Sequence, residues 1–385
     1  MTIALDMYDG STKFSLIAIP MFVLAGAIMN AGGITDKLIN FVSAIIGFIR
    51  GGLAMVNIGV SLFFAEISGS AVADVAAMGS ILIPQMKKRG YSKEFSAAVT
   101  SSSASLAIII PPSIPMILYA ASANTSVEQL FVAGIVPGLL GAGGLMLVAY
   151  LFAKHYNFPT EDAFNFPRLR ETFVDALPAF TLPVIILGGI FGGFVTATEA
   201  AGLAVLASLV VSAWYGNLDR DHLRRAMLDG GIQTAVVMLL VAASVLMGGF
   251  LTRAQIPQQL AESILSITTQ QWAILLILNF FFLVVGFFLH SAAAIILVIP
   301  IVIPLITAAG IDPVHFGLVV TLNLAIGQQT PPVASVLITA CSVARANIWE
   351  VSKVNIWFVG VLILVLILCT YVPSVPMFLV EYFYR

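Results

Sequence analysis

The chain has 385 residues, 60% of them hydrophobic and only 9% charged, with a formal net charge of −2 and a mean hydropathy of +1.04. Soluble domains carry about 25% charged residues, so an ordinary water-facing domain is excluded. No basic tract or stacking platform points to nucleic acid. Apolar stretches of roughly 20 residues recur from end to end, and lipid-facing extended strands would leave backbone groups unpaired. An all-α polytopic membrane protein is the class that remains.

The first residues place Asp6 and Asp9 ahead of any cation, which makes a poor signal peptide. Full crossings are expected near 14–33, 95–121, 132–153, 178–196, 197–216, 231–252, 314–342 and 354–379. The apolar stretches 52–86 and 272–308 are each too long for one helix and are broken midway, by ISGSAVAD at 67–74 and LHSAAAI at 289–295. They read as re-entrant hairpins, with two ordinary crossings joined by a polar turn as the alternative. If the hairpins return to their own side, 14 of the 17 Lys and Arg fall on one face and 3 on the other. The first face is then cytoplasmic, and the expected location is a bacterial inner membrane. Cys341 and Cys369 lack metal-ligand spacing and read as packing residues.

At an offset of 220 residues two halves come into register. Pro84 then pairs with Pro304, Gly90 with Gly310, and Pro111-Pro112 with Pro331-Pro332. Five crossings separate the two copies, an odd number, so the second would be upside down relative to the first. The expected fold is two inverted-topology repeats, each with a re-entrant hairpin and a broken transmembrane helix. Residues 14–140 form the first, 141–230 the linking helices and 231–385 the second. Inverted repeats with broken helices are characteristic of secondary transporters, whose sites lie at the repeat interface.

The breaks are legible in the sequence. SSSASLAIIIPPSIPM sets Pro111, Pro112 and Pro115 at mid-membrane, and NLAIGQQTPPVAS does the same around Gly327 to Pro332. Adjacent prolines delete backbone donors and clash with the preceding turn. The exposed carbonyls suit a hard cation and the helix N-termini a carboxylate. Ser68, Gly69 and Ser70 would oppose the first break near Ala107, and Ser291 the second near Gly327. Ser103, Ser105, Gln328, Gln329 and Thr330 add neutral oxygens, and Ser113 follows the first break. Close packing of kinked helices is the competing reading of these small residues. Glu66, Asp74 and His290 are ionisable groups near membrane depth, functional or structural by the same sequence. No GxxxxGK[ST], HExxH, CxxC or serine-nucleophile elbow is present, so neither ATP hydrolysis nor another enzymatic activity is expected.

The runs GSAVADVAAMGSILIPQMKKRGY, IIPPSIPMILYA and GIDPVHFGLVVTLNLAIGQQTPPVAS closely resemble the large membrane subunit of TRAP transporters, the tripartite ATP-independent periplasmic systems. FSLIAIPMFVLAGAIMNAGGI and GGFVTATEAAGLAV extend the resemblance over essentially the whole chain. It implies import of small organic acids, driven by a Na+ gradient through an elevator motion. It also implies two partners, a periplasmic substrate-binding protein and a small membrane subunit of about four helices. Carried onto this sequence, the sodium sites would use Ser68, Gly69, Ser70, Ser103, Ala107, Ser291, Gly327 and Thr330. Substrate would meet Ser70, Ser105, Ser113, His290, Gln328 and Gln329.

Three departures from the family pattern stand out. A further helix usually precedes the segment starting near Phe14. An acidic residue often stands where this chain has His290, and Gly-Pro where it has Ala107-Ile108. A stand-alone ion-coupled organic-anion transporter is the nearest alternative reading.

Overall fold

The computed structural model describes residues 7–8, 12–68, 70–158 and 163–384, with only the backbone of 65–68. All regular structure among them is helical. A 3₁₀ turn at Phe14–Ile17 leads into α1 (Ala18–Ala31), followed by α2 (Ile34–Ile46), α3 (Gly52–Ser68) and α4 (Ala71–Lys88). Next come α5 (Lys93–Ala104), α6 (Ile114–Ala123) and α7 (Val127–His155). The middle of the chain forms α8 (Phe166–Pro183, extended through a π turn to Phe191) and α9 (Ala197–Trp214). The remainder forms α10 (Arg220–Arg253), α11 (Ile256–Ile267), α12 (Gln271–Phe288), α13 (Ser291–Ala308), α14 (Pro313–Gly327), α15 (Ser335–Ala344), α16 (Ile348–Tyr371) and α17 (Ser374–Tyr384).

Side-chain caps set several of these starts. Ser92 accepts from the Phe95 amide at 3.1 Å, and Asp312 accepts from Val314 at 2.8 Å and His315 at 3.1 Å. The broken helices α5 and α14 therefore begin on donors that would otherwise be orphaned. Gly90 (φ +86°) and Gly310 (φ +67°) end α4 and α13 in the left-handed region, where a Cβ would be strained. Both Pro111-Pro112 and Pro331-Pro332 are cis.

Among the described residues eight helices are long and apolar enough to cross a membrane. They differ from the eight expected crossings. The hairpin arms Gln271–Phe288 and Ser291–Ala308 qualify, whereas the broken helices fall short because each is split into pieces of 10 to 15 residues. The expected 178–196 crossing starts at Phe166, and 231–252 starts at Arg220. Charged first turns lowered the apolarity there and hid the helical start. The expected 354–379 crossing is two helices, parted between Tyr371 and Ser374 where Pro373 removes a donor. The helices Ile34–Ile46 and Ile256–Ile267 lie outside the expected crossings and hairpins. At 13 and 12 residues they reach only about 20 Å, and they are apolar on one face. Ile34, Leu38 and Phe41 are buried while Asp36 and Asn40 are exposed. Averaged hydropathy misses such a stripe.

Two groups of helices build the molecule. α1 packs against α9 and α10, and α2 against α8. The two hairpins α3/α4 and α12/α13 pack with the broken helices α5/α6 and α14/α15, backed by α7 and α16. The second arm of each hairpin packs on the far half of the other broken helix, α4 on α15 and α13 on α6. This exchange brings both hairpin tips to one place.

Candidate functional site

The first break is an irregular stretch between Ala104 and Ile114, entered through a 3₁₀ turn at Ser105–Ile108. Ser113 spans it, its hydroxyl donating to the Ile108 carbonyl at 2.7 Å and accepting from the Met116 amide at 3.4 Å. Ser103 is held from the hairpin side. It accepts from Ser61 at 2.9 Å and donates toward Asn57 Oδ1 at 3.2 Å, while Asn57 donates to Thr100 at 2.7 Å. These contacts tie α3 to α5.

The second break runs from Gln328 to Ala334. Its backbone is tied across the gap by Val336 N–H donating to the Gln328 carbonyl at 3.1 Å. Gln328 Oε1 accepts from Ser335 at 3.3 Å, and Thr330 donates to the Ile326 carbonyl at 3.0 Å. Asn323 donates to Asn279 of the hairpin at 2.7 Å, and Asn279 to Thr370 at 3.2 Å. Gly327 lies directly on Gly286 of α12. A Cβ added at Gly327 would sit 2.6 Å from the Gly286 Cα.

The two breaks also touch each other. Gln329 Nε2 donates to the Ser105 hydroxyl. Asn355 of α16 donates to the Gln329 carbonyl at 3.1 Å and accepts from Ser102 at 3.2 Å. Buried side-chain oxygens of Ser101, Asn323 and Gln329 have no hydrogen-bond partner among the described residues. Buried acceptors left unpaired are costly, and neutral oxygens of this kind are ligands for hard cations.

Beside the breaks lies a cavity of about 530 Å³. Ser70 comes from the first tip, His290 and Ser291 from the second, Ile108 and Pro115 from the first break, and Gln233 from α10. Val23 of α1 and an apolar stretch of α10 complete the facing wall. Among the described residues of this wall His290 is the one ionisable group. The chamber is therefore mostly apolar with a few convergent polar groups, the composition of a small-molecule site.

The sequence-derived residues divide accordingly. Ser70, His290 and Ser291 share the cavity wall. Ser105, Ser113, Gln328 and Gln329 are buried behind it and make the contacts above, with the Gln329 side-chain oxygen left unpaired among the described residues. Ser103, Ala107 and Gly327 are buried at the breaks and Thr330 is half-buried. Gly69 and the side chains of Glu66 and Ser68 lie outside the described residues. Ser291, expected opposite the break near Gly327, shares its cavity with the first break instead. Its own hairpin meets Gly327 through Gly286, one turn before the tip. Asn57, Ser61, Asn279, Asn323, Asn355 and Gln233 join the site through the structure and are not among the site residues expected above. For all of these but Ser61 the available signal is an intramembrane amide.

The chain matches the family model described as tripartite ATP-independent periplasmic transporter, DctM component, over residues 1–375. It belongs to this family. It is thus a transporter component and not an enzyme. It is 37% identical to the C4-dicarboxylate TRAP transporter large permease protein DctM of Pseudomonas aeruginosa, over 98% of this chain and 88% of that protein. It is 40% identical to the isethionate TRAP transporter permease protein DctMQ of Oleidesulfovibrio alaskensis over 95% of this chain, which spans only 58% of that longer protein. The crystal structure of the Alcanivorax borkumensis YdaH transporter superposes with a TM-score of 0.70 at 14% identity, covering 96% of this chain and 87% of the other. That likeness is one of fold. The DctM-family chain described here is accordingly a multi-span membrane protein.

Proposed function

We propose that this DctM-family chain is the permease subunit of a sodium-coupled importer of small organic acids, working with a periplasmic binding protein and a small membrane subunit. The observation that carries the reading is the convergence of both hairpin tips and the first helix break on one cavity, walled on the other side by α1 and α10. C4-dicarboxylate and isethionate in the names of two relatives support a small anionic substrate, and the DctMQ name supports a small-subunit partner. The hydroxyls and amides clustered at the breaks support sodium as the coupling ion, bound as cargo by neutral oxygens near Ser70, Ser103, Ser291 and Thr330.

An inverted repeat is supported by α4 and α13, which start at Ala71 and Ser291 and end at Lys88 and Ala308, each pair 220 residues apart. The hairpins in this reading are re-entrant. An elevator motion would carry hairpins and broken helices past α1 and α10, moving the cavity from one face to the other.

The test is uptake of labelled succinate, N-acetylneuraminate and gluconate into proteoliposomes holding the chain with its small subunit. Uptake requiring both an inward sodium gradient and the periplasmic protein is the expected result. Uptake with sodium alone would favour the stand-alone transporter, and uptake indifferent to sodium would overturn the coupling.

A further inference from the structure

A second cavity, of about 640 Å³, opens off the first along α10. The two share Val23, Ala73, Ala76, Ile232 and Gln233 in their walls, so they form one path with two chambers. On the opposite side a smaller cavity of about 210 Å³ holds Lys13, Ala121 and Ser244 and shares no wall residue with the central chamber. The path is thus continuous toward the start of α10, where Arg220, Arg224 and Arg225 mark the cytoplasmic end.

The outer chamber differs in chemistry from the apolar one. Asn30, Ser80, His222, Arg225 and Asp229 contribute to its wall. His222 is already engaged, its Nδ1 2.8 Å from Asp219 Oδ1. The His222 backbone amide, joined by its ring, holds the Asp219 carboxyl below the usual carboxylate range. Arg225 has no ion pair or hydrogen bond among the described residues, although Asp229 stands one turn further along the same helix and in the same wall. A free guanidinium presents a fork matched to a carboxylate.

We propose that this outer chamber is a second anion-binding station on the release path. There the Arg225 guanidinium receives the substrate carboxylate as it leaves the hairpin tips, and Asp229 then displaces it. The proposal rests on the carboxylate-transport reading above. An anion leaving the inner chamber has His290 as its one ionisable neighbour among the described wall residues and must cross the boundary at Ile232 and Gln233. A cation on the far side lowers the cost of that step. A carboxylate of the protein within one helical turn keeps the same cation from retaining the substrate, because it competes for the same fork. Gln233, common to both chambers, offers neutral hydrogen bonds during the handover.

The test is counterflow in proteoliposomes of the full complex, using whichever of labelled succinate, N-acetylneuraminate or gluconate the wild type carries. Half-saturation is measured separately for external and internal substrate. Arg225→Gln is expected to raise the internal value about tenfold, the size of one lost charge-assisted contact, and to leave the external value unchanged. Asp229→Asn is expected to lower the internal value several-fold. These opposite shifts on one face are not produced by loss of structure, and Asp229→Asn with Arg225→Lys carries the test if Arg225→Gln does not fold. Unchanged internal values, or equal changes on both faces, would overturn the proposal. So would an Arg225 effect that vanishes in vesicles lacking anionic lipid, which would assign the guanidinium to a headgroup. Transport of none of the three acids by the wild type would overturn the carboxylate reading itself, a different result from intact transport with unmoved constants.

Discussion

The side-chain amide of Gln329 donates to the hydroxyl of Ser105, so the break in one half of the chain is hydrogen-bonded to the break in the other. Asn355 reinforces the join by donating to the Gln329 carbonyl and accepting from Ser102. The two breaks are therefore one polar unit inside an apolar protein, and moving either one loads the other. Replacing Asn355 with Leu leaves a carbonyl and a hydroxyl without these partners. The expected cost is about 1–3 kcal/mol, read as a lower unfolding temperature of the detergent-solubilised chain. An unchanged melt would mean that the join contributes nothing.

Gly286 and Gly327 meet backbone to backbone. A Cβ at Gly327 would lie 2.6 Å from Gly286 Cα and 2.7 Å from its carbonyl carbon, whereas one at Gly286 would lie 3.1 Å from Gly327 Cα. Neither obstacle is a flexible side chain, so hairpin and break must separate. Gly327→Ala is expected to abolish uptake, and Gly286→Ala to reduce it less, with stability losses of roughly 1–3 kcal/mol. Uptake and melting temperature measured on both variants check the ranking.

Ser103 binds the first hairpin to the first break through Ser61 and Asn57. Ser103→Ala is expected to raise the sodium concentration for half-maximal uptake several-fold, with less effect on substrate half-saturation. A sodium curve that superposes on the wild type would remove Ser103 from the coupling site.

His290, alone among ionisable groups in the described wall of the inner cavity, should act on substrate more than on sodium. His290→Asn keeps a neutral hydrogen-bonding group and removes the capacity for charge. A rise of about tenfold in the half-saturation for substrate is expected, with sodium dependence retained. The reverse pattern would reassign the second tip to the ion.

Lys13 Nζ donates to the Ala121 carbonyl at 2.7 Å, tying the start of the α1 segment to the end of α6. This contact lies in the wall of the smaller cavity, which shares no wall residue with the Arg225 chamber. Lys13→Met should open that side more often, seen as faster labelling of a cysteine placed at Ser122 by a membrane-impermeant maleimide. Cys341 and Cys369 are buried and give little background. Equal labelling with and without Lys13 would show that the contact does not gate the path.

Much of this protein is written in local sequence. Membrane helices follow from apolar length, because in lipid a helix pairs its backbone N–H and C=O groups within its own segment while an extended strand leaves them unpaired. The breaks follow from Pro111-Pro112 and Pro331-Pro332, because proline removes donors wherever it stands. The helix-to-helix turns follow from small and polar residues interrupting an apolar run, which is the signal that singles out Ser70, His290 and Ser291. The amphipathic helices Ile34–Ile46 and Ile256–Ile267 are also local, but their signal is a stripe and not an average. What the tertiary structure alone decides is which local features meet. Exchange packing of α4 on α15 and α13 on α6 puts Ser70 and His290 in one wall and turns Ser105 and Gln329 toward each other. The two members of each pair are 220 and 224 residues apart, and no local propensity reaches that far. Side-chain packing between helices chooses the partners, and with them whether a polar residue faces the cavity or closes a joint behind it.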